Sequence, residues 1–203
     1  MDYTGHAYRV MFTKGQVDRM KATLAGSRAS FAGSDFSEFV LQTGTGLQET
    51  DDTFKFLVAD WNRDGKPDLL AVKKSGTASR STEMHILSGA SNFKNYILQT
   101  MTALSETSAD FDFAVTDWNG DGKPDVVAVK KSRTASNSTE VHVLSGMLGF
   151  RDFLLQSGTA LHQTDGTFAF AVADWTRDGR PDLVAIKKRG TGTNSTEVHI
   201  LAG

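Results

Sequence analysis

The sequence predicts an all-β fold: a β-propeller of four-stranded blades, three blades to the chain, with a short helix ahead of them. Three observations carry that prediction. The stretch Asp60-Trp61-Asn62-Arg63-Asp64-Gly65-Lys66-Pro67-Asp68 returns at Asp117 to Asp125 and at Asp174 to Asp182, the two steps being equal. His85, His142 and His199 keep the same step. Within each period, short runs of aromatic and β-branched residues alternate with loops rich in Gly, Asp, Ser and Asn, and no run carries a helical stripe long enough to pack as a helical solenoid. A fixed long period marks units that cannot bury their apolar faces alone and stack on copies of themselves.

Composition bounds what such a stack does. The chain has 203 residues, 39% hydrophobic and 23% charged, enough for a sizeable core. A net charge of −2 gives no global pull on nucleic acid, and the pairs Lys73-Lys74, Lys130-Lys131 and Lys187-Lys188 read as solvated strand ends. No run approaches the ~18 apolar residues of a membrane helix, so no membrane insertion is expected. The first residues, with Asp2, His6 and Arg9 among them, lack the apolar core of a secretory signal, and a cytoplasmic or non-classically secreted protein is expected. The absence of cysteine excludes disulfides, zinc-thiolate sites and thiol catalysis. Asn137-Ser138-Thr139 and Asn194-Ser195-Thr196 match glycosylation sequons and read as by-products of the repeat.

Residues 1–35 stand outside the period as a helical extension and linker. Thr13 and Gln16 form a capping-box pattern, Val17, Met20 and Leu24 recur at helical spacing, and Gly26 offers a stop, so a short amphipathic helix is predicted at about 14–25. Ala29 to Asp35 reads as linker. Three tandem repeats follow, at 36–92, 93–149 and 150–203. Each opens on an aromatic strand: Phe36-x-x-Phe39-Val40-Leu41-Gln42-Thr43, then Phe93 to Thr100, then Phe150 to Ser157. A second strand, Phe54 to Val58 in the first copy, runs into the Asp-Trp loop. Asp68 to Lys74 makes a third and Thr82 to Ser88 a fourth.

The order of strands poses a closure problem. The chain opens on the aromatic strand and stops just after the third Glu-Val-His-Ile strand. If the aromatic strand is the outermost strand of the preceding blade, Phe39 to Thr43 is left over and the last blade lacks its outer strand. Three blades cannot close a ring, and an open array exposes apolar faces and a strand edge. Two chains head to tail, each completing the other's final blade with residues 39–43, close a six-bladed ring as a homodimer. The other arrangement is a crescent capped by the helix.

Two motifs carry chemistry. In Asp60-x-Asn62-x-Asp64-Gly65-x-x-Asp68, oxygen donors alternate around a glycine turn, a spacing that suits calcium. The copies are Asp117, Asn119, Asp121 and Asp125, then Asp174, Asp178 and Asp182, with Thr176 in place of the Asn. Such residues also cap turns through their own backbone, and an ion here would stiffen the loop. The second motif is Lys74 to His85 and its copies. On a strand, Glu83 and His85 point to one side, where a carboxylate and an imidazole rimmed by hydroxyls and a Lys donate and accept hydrogen bonds. Three near-identical copies favour multivalent binding over catalysis.

The Asp-Trp-Asn-x-Asp-Gly-Lys-Pro-Asp loop, the Lys-Lys-x-x-Thr-x-x-x-Ser-Thr-Glu-x-His stretch and the Leu-Ser-Gly after it resemble the repeats of mushroom β-propeller lectins of the Psathyrella velutina lectin and Agrocybe aegerita lectin 2 type, across residues 36–203. The resemblance implies recognition of terminal N-acetylglucosamine on glycans or glycoproteins, in shallow pockets between blades, and calcium loops like those of integrin propellers. Carried over by position, the sugar-binding candidates are Lys74, Thr82, Glu83 and His85; Lys131, Thr139, Glu140 and His142; Lys188, Thr196, Glu197 and His199. Those lectins fill a ring with one chain, whereas this chain has half that number of blades. Residues 1–25, with Met1-Asp2-Tyr3-Thr4 and Phe12-Thr13-x-Gly15-Gln16-x-x-Arg19-Met20, resemble the tail of fungal pappalysin-type zinc metalloproteases. The His-Glu-x-x-His zinc helix of that family is absent, which excludes zinc proteolysis.

The expected function is therefore a multivalent lectin without enzymatic activity. The alternative is a calcium-dependent protein-adhesion propeller derived from a secreted protease. An enzyme would need a unique constellation, and His162, Glu106 and Arg133 assemble none.

Overall fold

A computed structural model of the chain describes residues 13–25 and 38–203. The linker Ala29 to Asp35, the Met1 to Thr4 and Phe12 parts of the protease-like segment, Gly26 and the side chains of Met20 and Leu24 lie outside what it describes. The chain divides into two compact units, residues 1–42 and 43–203.

The first unit holds helix α1, Lys14–Ala25. Its N-terminus is the predicted capping box: the Thr13 amide donates to Gln16 Oε1 at 2.8 Å and the Gln16 amide to Thr13 Oγ1 at 3.3 Å. Two amides that begin the helix without an intrahelical acceptor are thereby satisfied. The strand expected at residues 39–43 is not formed. A strand exists only against a neighbour that takes its amides and carbonyls, and Phe39 and Val40 stand 81% and 104% exposed.

The second unit is three antiparallel sheets. Sheet 1 is β1 (Phe54–Ala59), β2 (Asp68–Lys73), β3 (Ser81–Leu87) and β4 (Tyr96–Ser105), paired in that order. Sheet 2 repeats it with β5 (Phe111–Thr116), β6 (Asp125–Lys130), β7 (Ser138–Leu144) and β8 (Phe153–His162). Sheet 3 has only β9 (Phe168–Ala173), β10 (Asp182–Lys187) and β11 (Glu197–Leu201). The outer strands β4 and β8 start later than expected, at Tyr96 and Phe153, and run on past Thr100 and Ser157 to ten residues each.

The sheets pack back to front. Leu70, Val72, Met84 and Ile86 on the back of sheet 1 meet Phe113, Val126, Ala128 and Leu144 on the front of sheet 2. Val127, Val129, Val141 and Val143 on the back of sheet 2 meet Leu183, Phe170 and Val172 on the front of sheet 3. β6 is buried on both faces, which is why Asp-Val-Val-Ala-Val-Lys reads as a continuous apolar run and not an alternating one. The two end faces of the stack lack this cover. Phe56, Val58 and Met101 on the front of sheet 1, and Val198 on the back of sheet 3, are 44%, 63%, 54% and 59% exposed.

A bulge links neighbouring sheets. The pairing of β3 with β4 shifts register between Ser81 and Glu83, which turns the amide of Ala103 away from β3. It donates instead to the carbonyl of Phe150, in the turn just ahead of the next outer strand, at 3.0 Å.

Candidate functional site

Strand register decides which side chains meet. Residues directly opposite in an antiparallel pair share a face. Lys73 lies opposite Glu83 and Glu83 opposite Met101, while Ala71 lies opposite His85 and His85 opposite Gln99. Sheet 2 repeats this with Lys130, Glu140 and Gly158, and with Ala128, His142 and Gln156. Sheet 3 has Lys187 opposite Glu197 and Ala185 opposite His199, with nothing beyond. Glu and His are thus brought together as expected in all three copies.

The lysine that joins them is Lys73, Lys130 or Lys187. Lys74 and Lys131 fall one residue past the strand, where their carbonyls accept the amides of Thr107 and Thr164 at 2.7 Å, and Lys188 follows β10 in the same way. Thr82 and Thr139 do not join the group. Each faces the opposite side of its sheet, wholly buried, and donates from Oγ1 to the Ser105 carbonyl at 3.0 Å or the His162 carbonyl at 2.9 Å. Thr196, with no outer strand over it, is exposed.

A chain of polar side chains crosses each sheet face. Ser79 Oγ donates to Glu83 Oε1 at 2.7 Å, Ser136 Oγ to Glu140 Oε1 at 2.8 Å and Thr193 Oγ1 to Glu197 Oε1 at 2.9 Å. The other carboxylate oxygen stands 3.5 Å from Nε2 of His85, 3.5 Å from that of His142 and 3.8 Å from that of His199. On the far side of the ring, the Gln99 amide nitrogen lies 3.5 Å from His85 Nδ1 and that of Gln156 3.3 Å from His142 Nδ1. An amide donor at Nδ1 assigns the ring proton to Nε2, facing the carboxylate.

His85 sits between Phe54 and Tyr96, and His142 between Phe111 and Phe153, at centroid distances of 6.1–6.4 Å. Burial pushes both imidazoles below their usual pKa; the neighbouring Glu pulls up and Lys73 or Lys130 pushes down. Both rings are therefore neutral at pH 7. At Glu140 burial opposes the charge, but the bonds from Ser136 and the field of Lys130 outweigh it and hold the carboxyl below its usual range. His199 keeps only Phe168, at 6.4 Å, and its side chain is 42% exposed against 16% and 13% for His85 and His142.

In front of His142 lies a cleft of about 430 Å³ between the end of β4 and the front of sheet 2, lined by His142, Gln156, Lys130, Glu106, Asp110 and Arg133 among others. A cleft of about 470 Å³ occupies the corresponding place on sheet 1, against Phe54, Lys73 and Glu49. Glu106 and Arg133, unconnected in sequence, share the second cleft; His162 stays apart at the end of β8. Glu106 accepts the amide and the hydroxyl of Thr77 at 2.7 and 2.9 Å, and these bonds hold its carboxyl below the usual range. Arg133 adopts φ 57° where the other copies have Gly76 and Gly190, and its guanidinium pairs with Asp110. A bulky residue in the left-handed region marks this cleft as different from its siblings.

Each Asp-Trp loop is held by its own amides. Asp68, Asp125 and Asp182 are wholly buried, and each takes the amide of its Trp on one oxygen and that of Gly89, Gly146 or Gly203 on the other, at 2.7–3.0 Å. Asp60 accepts the amides of Asp64 and Gly65, and Asp174 those of Asp178 and Gly179. Asp64, Asp121 and Asp178 each take the amide two residues on. Asn62 and Asn119 bond Asp64 and Asp121. Among the described residues no three acidic or histidine side chains converge on a point that would hold a metal ion. One acceptor breaks the pattern: Asp117 Oδ1 is buried and has no partner. A hard cation held by Asp117, Asn119 and Asp121 would fit the chemistry of that one oxygen; in the other two loops no carboxylate oxygen is buried without a partner.

The tryptophans of these loops bridge sheets. Trp61 packs on Phe150 at 6.4 Å, with the Lys123 ammonium 3.5 Å from its ring centroid, and Trp118 packs in the core between sheets 2 and 3. Trp175 is 68% exposed.

A family model described as FG-GAP-like repeat matches residues 60–128 and, overlapping it, residues 117–185. Each match opens on an Asp-Trp pair and ends within the β-strand that follows the next Asp-rich loop. No curated protein matches the chain.

Proposed function

The chain belongs to the FG-GAP-like repeat family, a β-propeller-like tandem-repeat protein, and from that premise we propose that it is a multivalent carbohydrate-binding protein, without enzymatic activity, for glycans ending in N-acetylglucosamine. The observation that carries the reading is the cleft at His142. A neutral imidazole, a glutamine amide, a lysine and two carboxylates meet there beside Phe111 and Phe153. Hydroxyls and an acetamide need both donors and acceptors in a small space, and an aromatic wall takes the less polar face of a sugar ring. The Lys73, Glu83, His85 and Gln99 face of sheet 1 repeats the same groups. Glu83 and Glu140 serve chiefly to orient their histidines, since Ser79 and Ser136 occupy one of their oxygens. The sequence resemblance to mushroom propeller lectins supports the sugar named.

Each cleft is open and offers few hydrogen bonds, so affinity per site is modest and repetition supplies avidity. Calcium enters the proposal only at the second Asp loop, where it would satisfy Asp117 Oδ1 and stiffen the turn.

Glycan-array binding with free N-acetylglucosamine as competitor, run with and without a chelator, tests the reading. Binding that the free sugar abolishes and the chelator spares supports it. Absence of glycan binding sinks it, and protein binding lost on chelation would favour calcium-dependent adhesion through the Asp-Trp loops.

A further inference from the structure

Sheet 3 has three strands among the described residues where sheets 1 and 2 have four, and the contacts that a fourth strand makes in those sheets stand open. β11 has β10 on one side and, among the described residues, no strand on the other. Beside it lies a cavity of about 440 Å³ with a mainly apolar lining that includes Val141, Leu155, Leu183 and Ile200. The corresponding place one sheet earlier is filled by Phe150, wholly buried against Trp61. His199 lacks the counterparts of Gln99 and Tyr96, and Trp175 lacks the aromatic partner that Trp61 has.

The other end of the chain carries the missing piece. Phe39, Leu41 and Gln42 stand one full period before Tyr96, Leu98 and Gln99 of β4. The segment after them is already seated as the end of an outer strand. The Gly46 amide donates to the Phe93 carbonyl at 2.8 Å, copying the Ala103 to Phe150 bond at 3.0 Å, and Tyr96 Oη donates to the Gly46 carbonyl at 3.1 Å. Residues 44–46 thus meet sheet 1 as β4 meets sheet 2, while no sheet among the described residues pairs with their strand.

We propose that a second copy of this chain lays Phe39–Gly44 along β11, and that two copies exchanging strands complete each other's third polar site. In the register of β3 with β4, Gln42 of the second copy falls opposite His199, Thr43 opposite Val198 and Leu41 opposite Ile200. Gln42 then supplies the amide at the His199 ring, and Phe39 supplies its second aromatic wall. The back of sheet 3 covers the front of sheet 1 of the other copy, the packing already made twice within the chain. An open edge at one end and a matching strand at the other are satisfied together by a head-to-tail pair with twofold symmetry. That the completed site takes a sugar rests on the carbohydrate reading above; the strand exchange does not.

The chain has no cysteine, so an introduced pair reports cleanly. Val198→Cys combined with Thr43→Cys should give a covalent dimer on a non-reducing gel, because opposed Cβ atoms lie within disulfide reach. Each single variant should stay uncrosslinked, and light scattering of the unaltered protein should give twice the 22.0 kDa chain mass. A disulfide within one chain, a ladder of longer species, or a monomer in both measurements overturns the proposal. In the dimer, Gln42→Ala should shift the imidazole NMR signals of His199 and leave those of His85 and His142 in place; unchanged His199 signals overturn the completed site. Sugar titration separates the two readings. Three sites per chain in the dimer, falling to two with Gln42→Ala, support both. A crosslinked dimer that binds no N-acetylglucosamine keeps the strand exchange and sinks the carbohydrate reading.

Discussion

Asp125 accepts the amide of Gly146 at 2.7 Å from the far end of β7, while its other oxygen holds the amide of Trp118 at 2.9 Å. One buried carboxylate thereby ties the Asp-Trp loop, the start of β6 and the end of β7 together. Asp125→Ala strands two amides, and at about 1–3 kcal/mol for each buried group left unpaired the loss is about 3 kcal/mol. Gly146→Ala attacks the same knot sterically, since a Cβ there would lie 2.0 Å from the Pro124 carbonyl oxygen. It should cost about 1–3 kcal/mol. Denaturant unfolding of both variants reads these losses, and near-wild-type stability in either would refute the clamp.

The histidines set an acid limit. His85 and His142 have pKa values lowered in the folded chain, chiefly by burial. The unfolded chain therefore binds more protons, so their contribution is fully present above about pH 6.5 and is lost as pH falls through that value toward the folded pKa. Stability should decline over this window and level off once both rings are charged in the folded chain as well. His142→Gln should remove part of the decline; an unchanged pH profile would mean that its burial is not felt.

Arg133 is the test of whether the second cleft differs by design. A residue with a Cβ in the left-handed region costs about 1–2 kcal/mol, and an exposed ion pair returns less than about 1 kcal/mol. Arg133→Gly, which restores the residue found in the other two copies, should leave stability equal or raised by up to about 1 kcal/mol. Ligand affinity at that cleft should change while the other clefts keep theirs. A clear loss of stability would make Arg133 a structural residue.

Asp117 reports on calcium. If an ion satisfies its free oxygen, calcium at ten times its Kd should add about 1.4 kcal/mol to unfolding, and Asp117→Asn should abolish the increment. Thermal unfolding with and without the ion decides this. Equal gains in wild type and variant would place any ion elsewhere.

The strands and their spacing were legible because one long period shows itself three times over, at Asp60, Asp117 and Asp174. The helix start was legible because Thr13 and Gln16 carry the capping chemistry in their side chains. Which residues share a face was less so. At a strand end one residue of parity moves a side chain to the other side, and Lys73 and Lys74 differ by that step. Thr82 reads as a polar site residue from type alone, yet its hydroxyl serves a carbonyl within the sheet. Glu106 and Arg133 fall in one sequence repeat but beside different sheets, and they meet only because β4 borders sheet 2, a contact that no spacing along the chain records. Asp68 and its copies carry calcium-loop spacing, but the same oxygens suit amides equally well, and only geometry tells which they hold.

The bulge at Ala103 separates the unit that was duplicated from the unit that folds. Copying ran in blocks of one sequence period, but the outer strand β4, which opens the second block, completes the sheet of the first and then bonds the sheet after it. Excising a single repeat would sever one sheet and strip an edge from another, so a protein engineer seeking a minimal blade should cut at the loop after the outer strand, near Ser108, and not at the ends of the repeat. The same offset means that blades cannot be shuffled as interchangeable parts: each carries a docking half written for whatever follows it.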